Sequence, residues 1–162
     1  MPLRRLAAAV CVLTALVLSG CSQTVSLEPA KDANNPLCAE VTVRLPDAVA
    51  GQDRRWTDAQ ATGAWGDPTT VLLSCGVAVP GPTAELQCVT LEGIDWLVDP
   101  KQEPWMRMTT YGRDPAVQVF VDTTKVSADA VLANTGIVSG VQSIPKTSQC
   151  IAPDAEPKGF VE

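Results

Sequence analysis

The stretch 71–79, VLLSCGVAV, has the residue pattern of a β-strand that is buried on one side. Its apolar side chains recur at every second position, the period at which a strand presents residues to one face: Val71, Leu73, Cys75, Val77 and Val79. The turn signal Pro80-Gly81-Pro82 follows directly. We therefore predict a strand over residues 69–79 that ends in a tight turn.

Four further segments with strand-like alternation follow at short intervals: 87–91, 94–98, 104–111 and 116–121. Glu92-Gly93 separates the first two and is a two-residue hairpin signal. Residues 112–115, Gly-Arg-Asp-Pro, form another turn signal. Since consecutive strands joined by short turns usually pair with one another, the pattern predicts an antiparallel β-meander of about five strands.

A helix is predicted before the sheet. Asn35 is a good N-cap and Pro36 suits the first helical position. Apolar residues then recur at four-residue spacing from Leu37 until Pro46 ends the run. The segment 40–45, EVTVRL, is rich in β-formers, so a strand is an alternative for this region.

A second helix is predicted to begin at Ser127, a fair N-cap, and to run to about Ser139, although Gly136 weakens it. Residues 46–68 are interpreted as irregular surface. Both helices are expected to pack on one face of the sheet, which gives a single two-layer α+β domain over residues 36–150.

The first 20 residues have the composition of an export signal. Arg4 and Arg5 precede residues 6–18, which are largely apolar and carry no charge. That run is too short for a membrane-spanning helix, which needs about 20 residues, and it suits a signal peptide. The alternative to a signal peptide is a buried N-terminal helix of a soluble domain.

Leu18-Ser19-Gly20-Cys21 ends the apolar run and resembles the lipobox of bacterial lipoproteins. Small residues let the backbone enter a peptidase cleft, and the Cys21 thiol can form a thioether to a diacylglyceryl group. We predict cleavage after residue 20 and lipidation of Cys21, with ordinary secretion as the alternative. Residues 21–35 are polar and are predicted to form a flexible tether, and residues 151–162 are predicted to be a disordered tail.

Four cysteines fall in the predicted domain: Cys38, Cys75, Cys88 and Cys150. An even number in an exported chain indicates two disulfides. A hairpin about the turn 80–82 would place Cys75 opposite Cys88, so we predict that these two pair and, by elimination, that Cys38 pairs with Cys150. Because no C-x₂-C pair occurs, a metal site is not indicated.

The charge and the missing histidine exclude several functions. Without residues 1–20 the chain has 10 basic and 18 acidic residues, a formal charge of −8, which argues against nucleic acid as a partner. The sequence contains no histidine, which removes Ser-His-Asp and Cys-His catalysis and histidine metal sites. We therefore predict no cofactor, no metal and no enzymatic activity.

The tryptophans are the candidates for a binding surface. Trp56 follows Arg54 and Arg55 in a polar stretch and could contact an anionic envelope polymer or a protein partner, although a solvated rim is the simpler interpretation. Trp65, in Trp65-Gly66-Asp67-Pro68, could belong to the same surface or form a structural corner. Trp96 shares a strand face with Ile94 and is assigned to the core.

Carboxylates around one predicted hairpin suggest an alternative, a glycan-processing enzyme: Glu92, Asp95, Asp99 and Glu103. Such chemistry needs two carboxyl groups held about 5–9 Å apart in one cleft, whereas strand ends and turns favour a solvated rim. A carrier of an apolar ligand is a third hypothesis and needs an enclosed cavity.

Short motifs along the domain resemble the family called domain of unknown function 3515: Trp65-Gly66-Asp67-Pro68, Cys75-Gly76-Val77, Gly93-Ile94-Asp95-Trp96-Leu97, Thr110-Tyr111-Gly112-Arg113 and, after the first cysteine of the domain, Leu45-Pro46. The resemblance covers about residues 37–150. In that family an arginine often precedes Cys-Gly, where this chain has Ser74. The resemblance implies an exported protein or lipoprotein of high-GC Gram-positive bacteria and implies no catalytic residues.

These observations predict a lipid-anchored lipoprotein of the cell envelope, held at the outer face of the cytoplasmic membrane through the lipid on Cys21. The domain would act as a binding or scaffold module for an envelope protein or polymer.

Overall fold

The computed structural model describes residues 24–151. The predicted signal peptide, the lipidation of Cys21 and the tail beyond residue 151 lie outside the described residues. Within them the chain forms one antiparallel sheet and three helices. The strands are β1 (Ala48–Val49), β2 (Gln52–Arg55), β3 (Thr62–Trp65), β4 (Val71–Val77), β5 (Gln87–Leu91), β6 (Ile94–Gln102), β7 (Trp105–Thr110) and β8 (Ala116–Asp122), and the helices are α1 (Pro36–Thr42), α2 (Ala128–Leu132) and α3 (Thr135–Gln142).

The sheet has the strand order β1-β2-β3-β4-β8-β7-β6-β5. The strands β5 to β8 form the predicted meander, and the Glu92-Gly93 hairpin joins Leu91 to Ile94 as expected. The first predicted strand, β4, pairs with β3 and β8 and not with β5. The hairpin predicted about the turn 80–82 is therefore wrong, because that connection carries the chain from the middle of the sheet to its far edge.

The sheet has eight strands where about five were predicted. The additional strands, β1 to β3, lie in residues 46–68, which were interpreted as irregular surface. They are short, and β2 consists of the polar residues Gln-Asp-Arg-Arg. Neither their length nor an alternation of apolar and polar residues therefore predicts them as strands. One sequence signal was available, the glycine of Ala50-Gly51. In the structure these two residues form the turn between β1 and β2 with positive φ, 48° and 76°, a conformation that Gly favours in tight hairpins.

The predicted first helix is confirmed as α1. The Asn35 side chain accepts a hydrogen bond from the Leu37 amide at 3.0 Å, and Pro36 occupies the first turn. The predicted second helix forms as two, α2 and α3. The break occurs because the Asn134 side chain accepts a hydrogen bond from the Gly136 amide at 3.0 Å and so caps a new helix.

The core lies between one sheet face and the helices, so the two-layer α+β arrangement is confirmed. Val41 of α1 and Ile137 of α3 pack in the same buried cluster as Leu73 of β4 and Val119 of β8. Trp96 is fully buried in this cluster, as predicted. At about 25 cal/mol per Å² of apolar surface, burial of these side chains is the main term that holds the layers together.

The two disulfides join Cys38 to Cys75 and Cys88 to Cys150. The predicted pairs, Cys75–Cys88 and Cys38–Cys150, are therefore wrong. Cys75 is opposite Val117 on the helix-facing side of the sheet, where the buried Cys38 of α1 meets it. Cys88 lies on the other face.

The opposite orientation of Cys88 follows from the strand register. Directly paired residues share a face of the sheet, and one such row crosses four strand boundaries: Ser74, Gln118, Thr109, Leu97 and Cys88. Since Ser74 and Cys75 are neighbours, they point to opposite faces. Four strand spacings also separate Cys75 from Cys88 by about 19 Å, far beyond the reach of a disulfide.

Candidate functional site

A cleft of about 430 Å³ lies between the end of α1, the end of β2 and the following loop. Its lining combines an apolar surface with polar groups. The tryptophan supplies the apolar surface, and two arginines and several hydroxyl groups can form hydrogen bonds with a ligand. The lining residues are Thr42, Asp47, Arg54, Arg55, Trp56, Thr57, Ala59, Ala61 and Thr62. The cleft therefore contains three of the four residues that the sequence nominated as a binding surface.

Trp56 is the most exposed tryptophan of the described chain, with 77% of its surface accessible. It follows the last residue of β2, so no neighbouring strand covers its side chain. Burial of a large aromatic side chain is strongly favourable. An indole left in water beside a cleft therefore offers a large apolar surface to a ligand.

The two arginines of the cleft are held differently. Arg55 Nη1 lies 3.0 Å from Asp67 Oδ1 and donates to the Gly66 carbonyl oxygen at 3.1 Å. Arg54 Nη1 donates to the Leu45 carbonyl oxygen at 3.0 Å, and the Arg54 residue is exposed. Arg55 is thus tied to the turn after β3, whereas Arg54 is an exposed residue of the cleft lining whose Nη1 is bonded to a backbone carbonyl.

Trp65 does not belong to this surface. It is fully buried, and its indole Nε1 donates to the Pro46 carbonyl oxygen at 3.0 Å. The proposed role of Trp65 in a binding surface is therefore wrong, and the corner interpretation holds. Gly66 has φ +92° at this corner, and Thr70 N donates to the Trp65 carbonyl oxygen at 2.9 Å.

Residues 24–33, which we call the N-terminal strap, lie against the loop that carries Trp56. Val25 N donates to the Trp56 carbonyl oxygen at 2.8 Å, and Val25 bridges Thr57 in parallel orientation. Leu27 N and Ser26 Oγ both donate to the Asp58 carboxylate at 2.8 Å. The prediction of a flexible tether over residues 21–35 is wrong for the described part.

The far end of the strap joins the sheet. Asp32 N donates to the Gly76 carbonyl oxygen at 3.0 Å, and Ala33 is buried. Gly76 has φ +89°, and a Cβ there would overlap the Asp32 backbone. The glycine of the Cys-Gly pair therefore permits the close approach of the strap.

The hydrogen bonds of the strap change the acidity of Asp58. The bond from the Leu27 amide, and then that from Ser26, hold the pKa of the Asp58 carboxyl below its ordinary value of 3.8. Sequence reasoning missed this arrangement because Asp58 and its partners are more than 30 positions apart. No local sequence pattern predicts the pairing of Asp58 with Ser26 and Leu27.

The four carboxylates nominated for acid–base chemistry do not meet. Glu92 lies in the hairpin turn with φ 51°, and Glu103 lies at the opposite end of β6, in a different cleft. Asp99 is half-buried and accepts a hydrogen bond from Lys101 N at 3.1 Å. Asp95 is buried and engaged in an ion pair. Two carboxyl groups in one cleft are therefore not found among these residues.

Asp95 has structural partners on three sides. It lies 2.8 Å from Lys146 Nζ and accepts hydrogen bonds from Thr90 Oγ1 at 2.6 Å and from Cys150 N at 3.2 Å. Burial alone would raise the pKa of Asp95, but the hydrogen bonds and the Lys146 charge outweigh it and lower the pKa. Asp95 is therefore a buried carboxylate that holds the C-terminal segment, residues 144–150.

Two further clefts open on the described surface. One, of about 420 Å³, lies at the β6–β7 turn and contains Trp105 and Glu103. The other, of about 270 Å³, contains Val43 and shares Thr42 and Ala61 with the Trp56 cleft.

Within residues 24–151, no three side chains of the metal-binding types are grouped closely enough to hold an ion. No helix of that range has the length and apolar character needed to cross a membrane.

The chain belongs to the family described as protein of unknown function DUF3515, whose model matches residues 5–147. The resemblance noted in the sequence is thereby confirmed. The match includes the apolar N-terminal run, Cys21 and the described domain as far as residue 147. No curated protein and no solved structure matches the chain.

Proposed function

We propose that this member of the DUF3515 family is a lipid-anchored protein of the cell envelope. Its domain acts as a non-enzymatic binding module at the outer face of the cytoplasmic membrane. The lipid on Cys21 supplies the attachment, because two or more acyl chains give stable anchoring. The partner is an envelope protein or polymer.

The position of the N-terminal strap carries this proposal. The strap places Val25 on the backbone of Trp56, so the chain enters the fold at the rim of the Trp56 cleft. A lipid on Cys21 would therefore hold this cleft beside the membrane, where envelope ligands are found. Asp58 fixes the strap through two further hydrogen bonds.

The chemistry of the cleft suits binding. Trp and Arg are the residues most enriched at binding hot spots, since an indole supplies area and a guanidinium supplies directed hydrogen bonds. Hydroxyl groups complete the lining. Thr62 Oγ1 lies 2.6 Å from the Ala59 carbonyl oxygen and 2.8 Å from Thr57 Oγ1, so these groups hold the cleft floor in one arrangement.

The enzymatic alternative has weaker support from the geometry. Of the residues that line the Trp56 cleft, Asp47 alone is a carboxylate, whereas glycoside hydrolysis needs a pair. The chain has no histidine that could replace the second group. A carrier of an apolar ligand would need an enclosed site, and the Trp56 cleft is open and partly polar.

The proposal is tested first by the intact mass of the membrane-bound protein, for wild type and Cys21→Ala. Wild type should begin at Cys21 and carry a diacylglyceryl group, and the variant should leave the membrane fraction. An unlipidated, soluble wild-type protein would contradict the anchoring.

The binding role is tested by a photo-crosslinking residue placed in living cells at position 56. The matched control is position 79, where Val79 is also an exposed apolar residue but does not line the cleft. A partner captured from position 56 and not from position 79 supports the proposal. Equal capture from both positions, or capture from neither, contradicts a binding site at the cleft. Capture of phospholipid alone from position 56 contradicts a protein or polymer partner there.

A further inference from the structure

We propose that the Trp56 cleft faces the membrane and receives the phosphate headgroup of a phospholipid. Trp56 lies in the interfacial layer and Arg54 contacts a lipid phosphate. This inference rests on the proposed lipid anchor. It names a ligand class and an orientation that the anchor alone does not require, since a lipidated domain on a long tether could turn any face to the bilayer.

The length of chain between the anchor and the fold limits the orientation. Val25 is four positions after Cys21, so an extended chain spans at most about 14 Å between them. Val25 N is hydrogen-bonded to the Trp56 carbonyl oxygen at 2.8 Å. A lipid on Cys21 therefore holds the Trp56 backbone within about 20 Å of the lipid attachment point.

Two of the four exposed large apolar side chains of residues 24–151 lie on this side, whereas Val79 and Ile151 line neither of the clefts concerned. Trp56 is 77% exposed and Val43 is 76% exposed. They line two adjoining clefts that share Thr42 and Ala61. Tryptophan is the residue most typical of the boundary between headgroups and acyl chains, where its ring is buried while its N–H stays hydrated. Its exposure here is explained if the membrane covers it.

Arg54 supplies the charge complementarity. Arg54 is exposed and lines the same cleft. Its Nη1 donates to the Leu45 carbonyl oxygen, and its remaining N–H groups can bind phosphate through paired hydrogen bonds. Arg55, in contrast, is already bound to Asp67. The acid in the cleft, Asp47, and the net negative charge of the mature chain oppose free binding to anionic lipid. The lipid anchor therefore keeps the protein at the membrane, and the contacts of the cleft with lipid determine which face of the domain is turned to the bilayer.

The test uses the lipidated protein, purified from membranes and reconstituted in vesicles of phosphatidylcholine and phosphatidylglycerol. The vesicles contain lipids spin-labelled at the headgroup, at a shallow acyl position or at a deep one. Tryptophan fluorescence reports depth because Trp65 and Trp96 are fully buried in the fold, which leaves Trp56 and the half-buried Trp105 as accessible reporters. We expect quenching by headgroup and shallow labels.

Matched variants show which residue is responsible for the quenching of tryptophan fluorescence by lipid labels. Trp56→Phe should abolish the lipid-dependent quenching, and Trp105→Phe should leave it unchanged. Arg54→Gln should reduce quenching by the headgroup label. Its control is Arg44→Gln, since Arg44 is an exposed arginine that pairs with Glu40 and does not line the cleft. If Trp56 is instead quenched by aqueous iodide and not by any lipid label, the inference is overturned.

The same sample separates the two proposals. Its intact mass reports the lipid, and flotation of the vesicles reports attachment. A lipidated, vesicle-bound protein whose Trp56 stays in water overturns only the membrane-facing cleft. A protein without lipid that does not float with the vesicles overturns the proposed anchoring as well.

Discussion

The ammonium group of Lys146 lies 2.8 Å from the carboxylate of Asp95 and holds the C-terminal segment against the sheet. Asp95 is 2% exposed, whereas the Lys146 side chain is 37% exposed. The carboxylate also accepts from Cys150 N, beside the disulfide to Cys88. Arg113, buried nearby, donates to the Ile144 carbonyl oxygen, so two cations and one disulfide meet around Asp95.

Asp95→Asn should lower the free energy of unfolding by about 2 kcal/mol, because it removes the ion pair to Lys146 and its single amide oxygen cannot accept from both Thr90 and Cys150 N. Burial lowers the pKa of Arg113, and the charge of Asp95 opposes that effect. Urea unfolding measures the change. The control is Asp99→Asn, on the same strand, which should cost less than about 0.5 kcal/mol because the amide oxygen can still accept from Lys101 N. Equal losses in both variants would contradict the role of Asp95.

The stability of the domain should fall at acid pH in a way that depends on Asp95. Its pKa is lower in the folded protein than the ordinary 3.8, so the unfolded chain takes up the proton first as pH falls. The stabilisation is therefore complete well above pH 3.8 and is lost as pH falls through the folded pKa. Urea unfolding at pH 7 and pH 3 should show a smaller difference between wild type and Asp95→Asn at pH 3. A constant difference would refute this assignment.

Non-reducing peptide mapping should recover Cys38–Cys75 and Cys88–Cys150. Trypsin alone leaves Cys75 and Cys88 on one peptide, because no lysine or arginine lies between Arg55 and Lys101. A glutamate-specific protease resolves them by cleaving at Glu85. Peptides that join Cys75 to Cys88 would show that the described pairing is wrong.

Removing either disulfide as a double Cys→Ala variant should destabilise the domain by about 4 kcal/mol in the loop-entropy model. The cysteines of the two bonds are 37 and 62 positions apart, so the two losses should be similar. Thermal unfolding of the two variants measures them. Loss of Cys88–Cys150 should in addition speed hydrogen exchange in the C-terminal segment and leave the N-terminal strap unchanged.

Three glycine variants should separate backbone strain from steric overlap. Gly81→Ala should change stability by less than about 0.5 kcal/mol, since a Cβ there meets no neighbour. Gly51→Ala should cost about 1 kcal/mol because φ is +76° without a neighbour. Gly76→Ala should cost more than Gly51→Ala, because a Cβ there also overlaps the Asp32 backbone. Chemical denaturation ranks the three, and a Gly76→Ala protein as stable as Gly51→Ala would contradict the close approach of the strap.

Asp58→Ala should release the N-terminal strap at Leu27. The variant removes the acceptor of the Leu27 amide, so hydrogen exchange at that amide should become faster. Asp58→Asn is the matched control, because its amide oxygen can still accept that hydrogen bond. Mass spectrometry of a peptide covering residues 24–30 measures the exchange. Unchanged exchange in Asp58→Ala would mean that other contacts hold the strap.

Local patterns predicted the elements whose information lies in neighbouring residues. Alternating apolar residues located β4 to β8, and Glu92-Gly93 located the β5–β6 hairpin. Asn35-Pro36 located the start of α1. In the candidate site, Arg54, Arg55 and Trp56 were nominated together because three consecutive residues necessarily stay together.

Pairing across the chain could not be predicted in the same way. The turn after β4 looks like a hairpin, but β4 pairs with β8, because the free energy of a sheet depends on which buried faces match and not on a turn alone. The same register turns Cys75 and Cys88 to opposite faces. An isolated antiparallel bridge between Arg113 and Lys146 holds the segment that brings Lys146 to Asp95, although no residue near either one in the sequence predicts the other.

The sequence alone therefore determined the composition and the local segments of the sheet, and it is the basis of the proposed export signal and lipid site at Cys21, since each depends on residues adjacent in the chain. Only the tertiary structure decided the disulfide partners, the burial of Trp65 and the seating of the strap on Trp56. These depend on contacts between distant segments, which form when the apolar face of the sheet is buried against the helices.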